Sequence, residues 1–156
     1  MGKIQLKYAS LDDLPLLQPL INYQLQETNQ NYDNDKAISF LKECIKKPQF
    51  NIIIIHHQKL LGASLCNIES KFWSNVKYGN IQWFYILPPY RNYYNAKTLL
   101  DASEEWLKNF DIEYIQTDVW HLDKDLHCDN KYITRYKKWS LMNNYNNNGQ
   151  IFYKVI

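Results

Sequence analysis

Residues 83–100, Trp-Phe-Tyr-Ile-Leu-Pro-Pro-Tyr-Arg-Asn-Tyr-Tyr-Asn-Ala-Lys-Thr-Leu-Leu, hold the pattern richest in chemical meaning. An apolar strand runs into a proline-marked turn with one arginine, and an amphipathic helix follows. That order sets backbone N–H groups and the positive end of a helix dipole where a phosphate could sit. Other reactive side chains are scattered. His56 and His57 fall beside a hairpin turn, where one imidazole is expected to point into the sheet and the other into solvent. The run His121-Leu122-Asp123-Lys124-Asp125-Leu126-His127-Cys128-Asp129 has metal-capable groups, but its spacing fits no zinc pattern and no metal is expected. Cys128 would need a neighbouring base to act as a nucleophile.

The elements that must position these groups follow from periodicity. Ile4, Leu6 and Tyr8 alternate with Gln5 and Lys7, predicting a half-buried strand over 3–8. Ser10, Asp12 and Asp13 offer caps to a helix whose apolar series is Leu14, Leu17, Ile21 and Leu25, with Pro19 expected to kink or break it. A polar linker covers 28–32. Asn34 or Asp35 is expected to cap a second helix, which Pro48 ends. The β-branched run from Asn51 to His56 predicts a buried strand. His57-Gln58-Lys59 reads as the turn to a hairpin partner over 60–68. A further strand is expected over 79–87. The clearest helix runs from Asn95 to Phe110, with Ala96, Leu99, Leu100, Ser103, Trp106 and Leu107 on one side. A strand over 113–119, a helix over 129–139, an Asn-dense loop over 143–149 and a strand over 151–156 complete the reading. The predicted order is β-α-α-β-β-β-α-β-α-β-β, an α/β fold with a mixed central sheet flanked by helices on both faces.

Bulk properties narrow the function classes. The 156 residues predict one domain, 1–156, and 46% apolar content argues against disorder. A net charge of +2 gives little ground for nucleic-acid binding. The longest apolar run, Ile52 to Ile55, is too short for a bilayer, and no charged stretch precedes an apolar segment at the N-terminus, so neither membrane nor secretion is expected. Three widely spaced cysteines, Cys44, Cys66 and Cys128, suit reduced thiols and a cytoplasmic setting. Only four glycines occur among abundant Asn, Lys, Ile and Tyr, a bias that an AT-rich coding genome would produce.

The segment from Leu87 to Ala96 resembles the cofactor-binding turn of the GNAT acyltransferase superfamily, V-x-P-x-Y-R-x-x-G-x-G/A. Ala9 to Leu17 resembles the family's opening strand and Asp-Leu-Pro turn. Leu60-Leu61-Gly62-Ala63 resembles its third strand. Tyr136-Lys137-Lys138-Trp139-Ser140-Leu141 is similar to its late motif F-Y-x-K-x-G-F, with serine in place of glycine. The resemblance implies that two central strands diverge and admit the pantetheine arm of acetyl-CoA or another acyl-CoA. Phe84 and Ile86 would then offer backbone contacts to that arm. Arg91, Asn92, Tyr93, Tyr94, Asn95 and Ala96 would offer N–H groups to the diphosphate, with Lys97 adding charge. Tyr94 stands where the family has glycine. A left-handed backbone there would cost a tyrosine about 1 kcal/mol or more.

Acyl transfer to an amine needs a neutral amine, a donor for the developing oxyanion and a proton for the leaving thiolate. The resemblance makes Tyr136 the proton donor. It places Gln82 where many relatives carry a glutamate base, and Gln82 could hold a water instead. Glu69, and more weakly Asp118, are substitute bases. The implied activity is N-acetyl transfer to a primary amine of a small molecule or protein. The alternatives are a degenerate domain that binds a ligand or partner, and a toxin-type enzyme acting on aminoacyl-tRNA. The short basic set Lys131, Arg135, Lys137 and Lys138 gives the last little support. Pairing into a homodimer is a further implication of the family.

Overall fold

The computed structural model describes residues 3–28, 33–118, 138–148 and 151–155. The chain runs β1 (Gln5–Tyr8), a single 3-10 turn (Leu11–Asp13), α1 (Leu14–Thr28), α2 (Asn34–Ile45), β2 (Phe50–His57), β3 (Lys59–Ser70) and β4 (Lys77–Ile86). A second 3-10 turn (Pro88–Tyr90) leads to α3 (Tyr93–Leu107), β5 (Tyr114–Asp118), β6 (Asn146–Asn148) and β7 (Ile151–Val155). Residues 138–142 are helical, and the rest of the helix expected over 129–139 lies outside the described residues. The strands form one seven-stranded sheet in the order β1-β2-β3-β4-β5-β7-β6. All neighbours are antiparallel except β4 and β5, which are parallel.

Helices cover both faces, as expected. The isoleucine run of β2 shows why that run is continuous. Ile53 and Ile55 pack with Leu99, Leu100 and Leu107 of α3, while Ile52 and Ile54 pack with Leu17, Leu20 and Leu41 of α1 and α2. A strand covered on both sides has no solvent-facing positions to alternate with. Each buried isoleucine contributes about 1.5–3 kcal/mol of transfer free energy.

Several local expectations are corrected. Pro19 lies inside α1 without ending it. Its ring is on the exposed side, while Leu17, Leu20 and Ile21 are buried opposite, and that packing outweighs one lost backbone bond. The cap of α2 is Asp33, whose side chain accepts from the Lys36 N–H at 3.0 Å, and not Asn34 or Asp35. The hairpin turn narrows to Gln58, whose φ is 56°, and both histidines belong to β2. The Asn-dense stretch read as a loop includes β6.

Ser10 and Asp13 close the entry to α1. The Ser10 N–H and Oγ each donate to Asp13 Oδ2 at 2.8 Å, and Lys7 Nζ pairs with Oδ1 at 2.7 Å. Burial pushes the Asp13 carboxyl up, but the Lys7 and Ser10 hydrogen bonds outweigh it and hold the pKa below the ordinary value.

Candidate active site

The centre of the site is a defect in the sheet. Along β3 and β4 the register pairs Leu65 with Trp83 but Cys66 with Ile81, so Gln82 is an extra residue in β4. Such a bulge bends and twists its strand. Among the described residues the parallel ladder to β5 runs from Tyr78↔Tyr114 to Ile81↔Thr117, beside this bulge. Beyond it, Leu87 N–H donates to Leu61 O at 2.9 Å. In that antiparallel register the backbone groups of Trp83 and Tyr85 face β3, and those of Phe84 and Ile86 face away from it. Close approach of β3 keeps β4 in place. A Cβ on Gly62 would lie 2.4 Å from the Tyr85 carbonyl oxygen, so only glycine fits there.

Beyond β4 the chain reverses through Pro88–Tyr90 and enters α3 with Asn92 as its N-cap. The Asn92 side chain accepts from the Asn95 N–H at 2.8 Å, and Asn95 Nδ2 donates to Tyr90 O at 2.7 Å. The first backbone bond of the helix joins Ala96 N–H to Asn92 O at 3.1 Å. The N–H groups of Tyr93 and Tyr94 therefore precede the first helical bond, at the positive end of the dipole.

These contacts revise the expected diphosphate set. The amides of Asn95 and Ala96 are already engaged. Arg91 N–H makes a long bond to Pro88 O at 3.3 Å. The Arg91 guanidinium forks onto Glu27, at 2.8 Å to Oε1 and 2.5 Å to Oε2, and its Nε donates to Ile86 O at 2.9 Å. Lys97 pairs with Asp101 one turn along α3, which raises its pKa. Tyr94 is a helical residue. Among the described residues with a side chain, only Gln58 and Asn144 have positive φ, so the strain expected at Tyr94 does not exist. Its side chain is 66% exposed.

Glu27 was not apparent from sequence, although an acid in the last turn of a helix opposes the dipole and calls for a cation. It also accepts from the Tyr85 hydroxyl at 2.6 Å. Burial, and then this bond, push the Tyr85 phenol well above its ordinary pKa. Gln24 was missed too, although it continues the stripe of Leu17, Leu20 and Ile21. It accepts from Trp83 Nε1 at 2.5 Å. Between these elements lies a cavity of about 510 Å³, bounded by Ile21 and Gln24 of α1, Ala37 and Phe40 of α2, and Gln82 and Trp83 of β4.

Of the expected acid–base groups, Gln82 and Glu69 lie among the described residues. Gln82 borders the cavity, and its Oε1 is buried without a hydrogen-bond partner. Glu69 lies at the far end of β3. Its carboxylate accepts from Asn67 Nδ2 at 2.5 Å, Tyr78 OH at 2.7 Å and, more weakly, Asn80 Nδ2 at 3.5 Å. Burial pushes its pKa up, but these bonds win and leave it below the ordinary value, which suits a fixed charge better than a base. Tyr136, Cys128 and the 121–129 run lie outside the described residues. His56 and His57 sit on β2, with β3 between them and β4. Burial pushes the Cys44 thiol to about 11 and the Cys66 thiol to about 12, so neither is a nucleophile at neutral pH.

The family model for the acetyltransferase (GNAT) family matches residues 17–126, and the chain belongs to that family. The fold is similar to the PaiA N-acetyltransferase from Thermoplasma acidophilum in complex with coenzyme A, at 18% identity and a TM-score of 0.71 over 99% of each chain. It is also similar to the aminoglycoside N-acetyltransferase AAC(6')-Iy in complex with CoA, at 14% identity and TM-score 0.69 over 90% of this chain and 88% of that one. An aminoglycoside acetyltransferase from an uncultured soil metagenomic sample, in complex with trehalose, gives 13% identity and TM-score 0.63, covering 87% and 86%. No curated protein matches the sequence.

Proposed function

We propose that the chain, acting as one domain over 1–156, transfers an acyl group, most simply acetyl, from acyl-coenzyme A to a primary amine. The observation that carries this reading is the Gln82 bulge beside Ile81↔Thr117, the last β4–β5 pair among the described residues, with the Phe84 and Ile86 backbone turned away from β3. The residues suit the cofactor. An edge of unspent strand amides accepts an extended amide-bearing arm as an added strand. The Tyr93 and Tyr94 N–H groups suit a diphosphate. Arg91 shapes the turn through Glu27 and Ile86.

Bound acyl-coenzyme A would supply an activated thioester and a thiol leaving group. The chain supplies the surroundings. The Ile86 N–H faces the edge where an oxyanion donor is needed, while Arg91 Nε occupies the Ile86 carbonyl and fixes that peptide. Gln82 orients a water or the amine by its carboxamide and takes no proton. Tyr136 is proposed to protonate the leaving thiolate, while the amine's proton passes to water. The acceptor enters between α1 and α2, where the cavity lies. Acetyl-coenzyme A with a panel of primary amines, read by thiol release, tests this. Turnover that depends on the amine is expected. Cofactor binding with no turnover on any amine would favour a binding module, a reading supported by the amide at Gln82 and the hydrogen-bonded Glu69.

A further inference from the structure

The second half of α1 is tied to β4 by two side chains one turn apart. Gln24 Oε1 accepts from Trp83 Nε1 at 2.5 Å, and Glu27 Oε2 accepts from the Tyr85 hydroxyl at 2.6 Å. Positions 24 and 27 share a helix face and positions 83 and 85 share a strand face, so the two bonds run side by side. Glu27 also reaches past the strand. Its two oxygens take the Arg91 fork, while Arg91 Nε holds Ile86 O at 2.9 Å and the guanidinium lies 5.1 Å from the centre of the Tyr85 ring. One carboxylate joins α1, β4 and the turn into α3.

The same stretch of α1 is a wall of the cavity, through Ile21, Gln24 and Leu25. All three follow Pro19, which lies inside the helix and has no N–H to give the carbonyl four residues back. A helix bends most easily where such a bond is missing. Residues 20–28 therefore have a hinge at one end and, at the other, the Gln24 and Glu27 bonds as a latch. We infer that Glu27 is a positioning residue that couples two sites: coenzyme A at the start of α3 steadies the cavity wall, and an amine seated against that wall tightens coenzyme A by the same factor. The inference rests on the coenzyme A site proposed above. With the latch open, the wall swings about Pro19 and the turn loses the hold of Arg91 together, because both depend on one carboxylate. A ligand suppresses an opening by the ratio of its affinities for the closed and open forms.

Amide hydrogen exchange on the full chain, free and at saturating coenzyme A, tests this. Coenzyme A is expected to slow exchange at residues 23–27 by at least about threefold more than at residues 41–45 of α2. Glu27→Gln keeps the shape of the side chain but not the charged fork, and should abolish that difference by leaving the α1 amides fast in both states. Pro19→Ala restores the helical N–H and should abolish it from the other side, with those amides slow in both states. Unfolding midpoints near native show that the variants are folded, and coenzyme A titrations show that each is saturated. Should Glu27→Gln fail to fold, Pro19→Ala carries the test. A native chain whose α1 amides ignore bound coenzyme A, or a native-sized response in either variant, overturns the inference and leaves the acyltransfer reading intact. If millimolar coenzyme A does not bind the native chain, both fall.

Discussion

Tyr94 projects from the first turn of α3 with most of its surface in solvent, and its backbone is helical. The work of the missing glycine is done by neighbours. Asn92 caps the helix, and Asn95 ties the turn to Tyr90. Reading a left-handed backbone into position 94 applied a pattern one residue at a time, whereas capping is a property of the whole turn. Tyr94→Gly should therefore destabilise the fold by about 0.5–1 kcal/mol in urea unfolding, through helix propensity, and should not tighten coenzyme A binding. A gain in affinity would show that the ring obstructs the site. Glu69 makes a separate prediction. Its folded pKa is depressed, so its stabilisation is present above the usual glutamate range and is lost as pH falls through that range and below it. Glu69→Gln should flatten that acid limb of a stability–pH curve, while an unchanged curve would show that its hydrogen bonds carry no net weight.

The bulge in β4 governs the elements. The extra residue at Gln82 shifts the β3–β4 register and lies just past Ile81↔Thr117, the last β4–β5 pair among the described residues. Nothing in the side-chain pattern marks Gln82 as surplus, because a bulge is set by the partner strand's register. The strand, the turn and the following helix were legible from periodicity and the two prolines, whereas the bulge and the Glu27–Arg91 clamp were not. That clamp joins the last turn of α1 to the turn after β4, a contact between residues far apart in sequence. Both partners are about a third exposed, so solvent and salt weaken the pair, and its loss should cost about 1 kcal/mol or less. Its positioning role is larger. Arg91→Lys cannot fork onto Glu27 and also hold Ile86 O, so coenzyme A affinity should fall several-fold with little change in unfolding midpoint. Equal affinity would show that the turn needs no clamp. Gly62→Ala, which drives a Cβ into the Tyr85 carbonyl, should cost at least about 2 kcal/mol in a denaturant titration.

At the scale of the molecule, helices on both faces of a mixed sheet explain the β-branched run of β2 and give α3 an apolar stripe against β2, β3 and β4. This level was the most legible, because burial writes itself into long periodic segments. The cavity was not, since Gln24, Phe40 and Trp83 come from three separate elements. No described helix is long and apolar enough to cross a membrane. The acyltransfer reading depends on whether the edge of β4 and the start of α3 form one ligand surface. Amide-resolved NMR during a coenzyme A titration measures this directly. The account predicts saturable shifts at Phe84, Ile86, Tyr93 and Tyr94, with β1 unmoved. Shifts absent from those four amides at millimolar coenzyme A would contradict it.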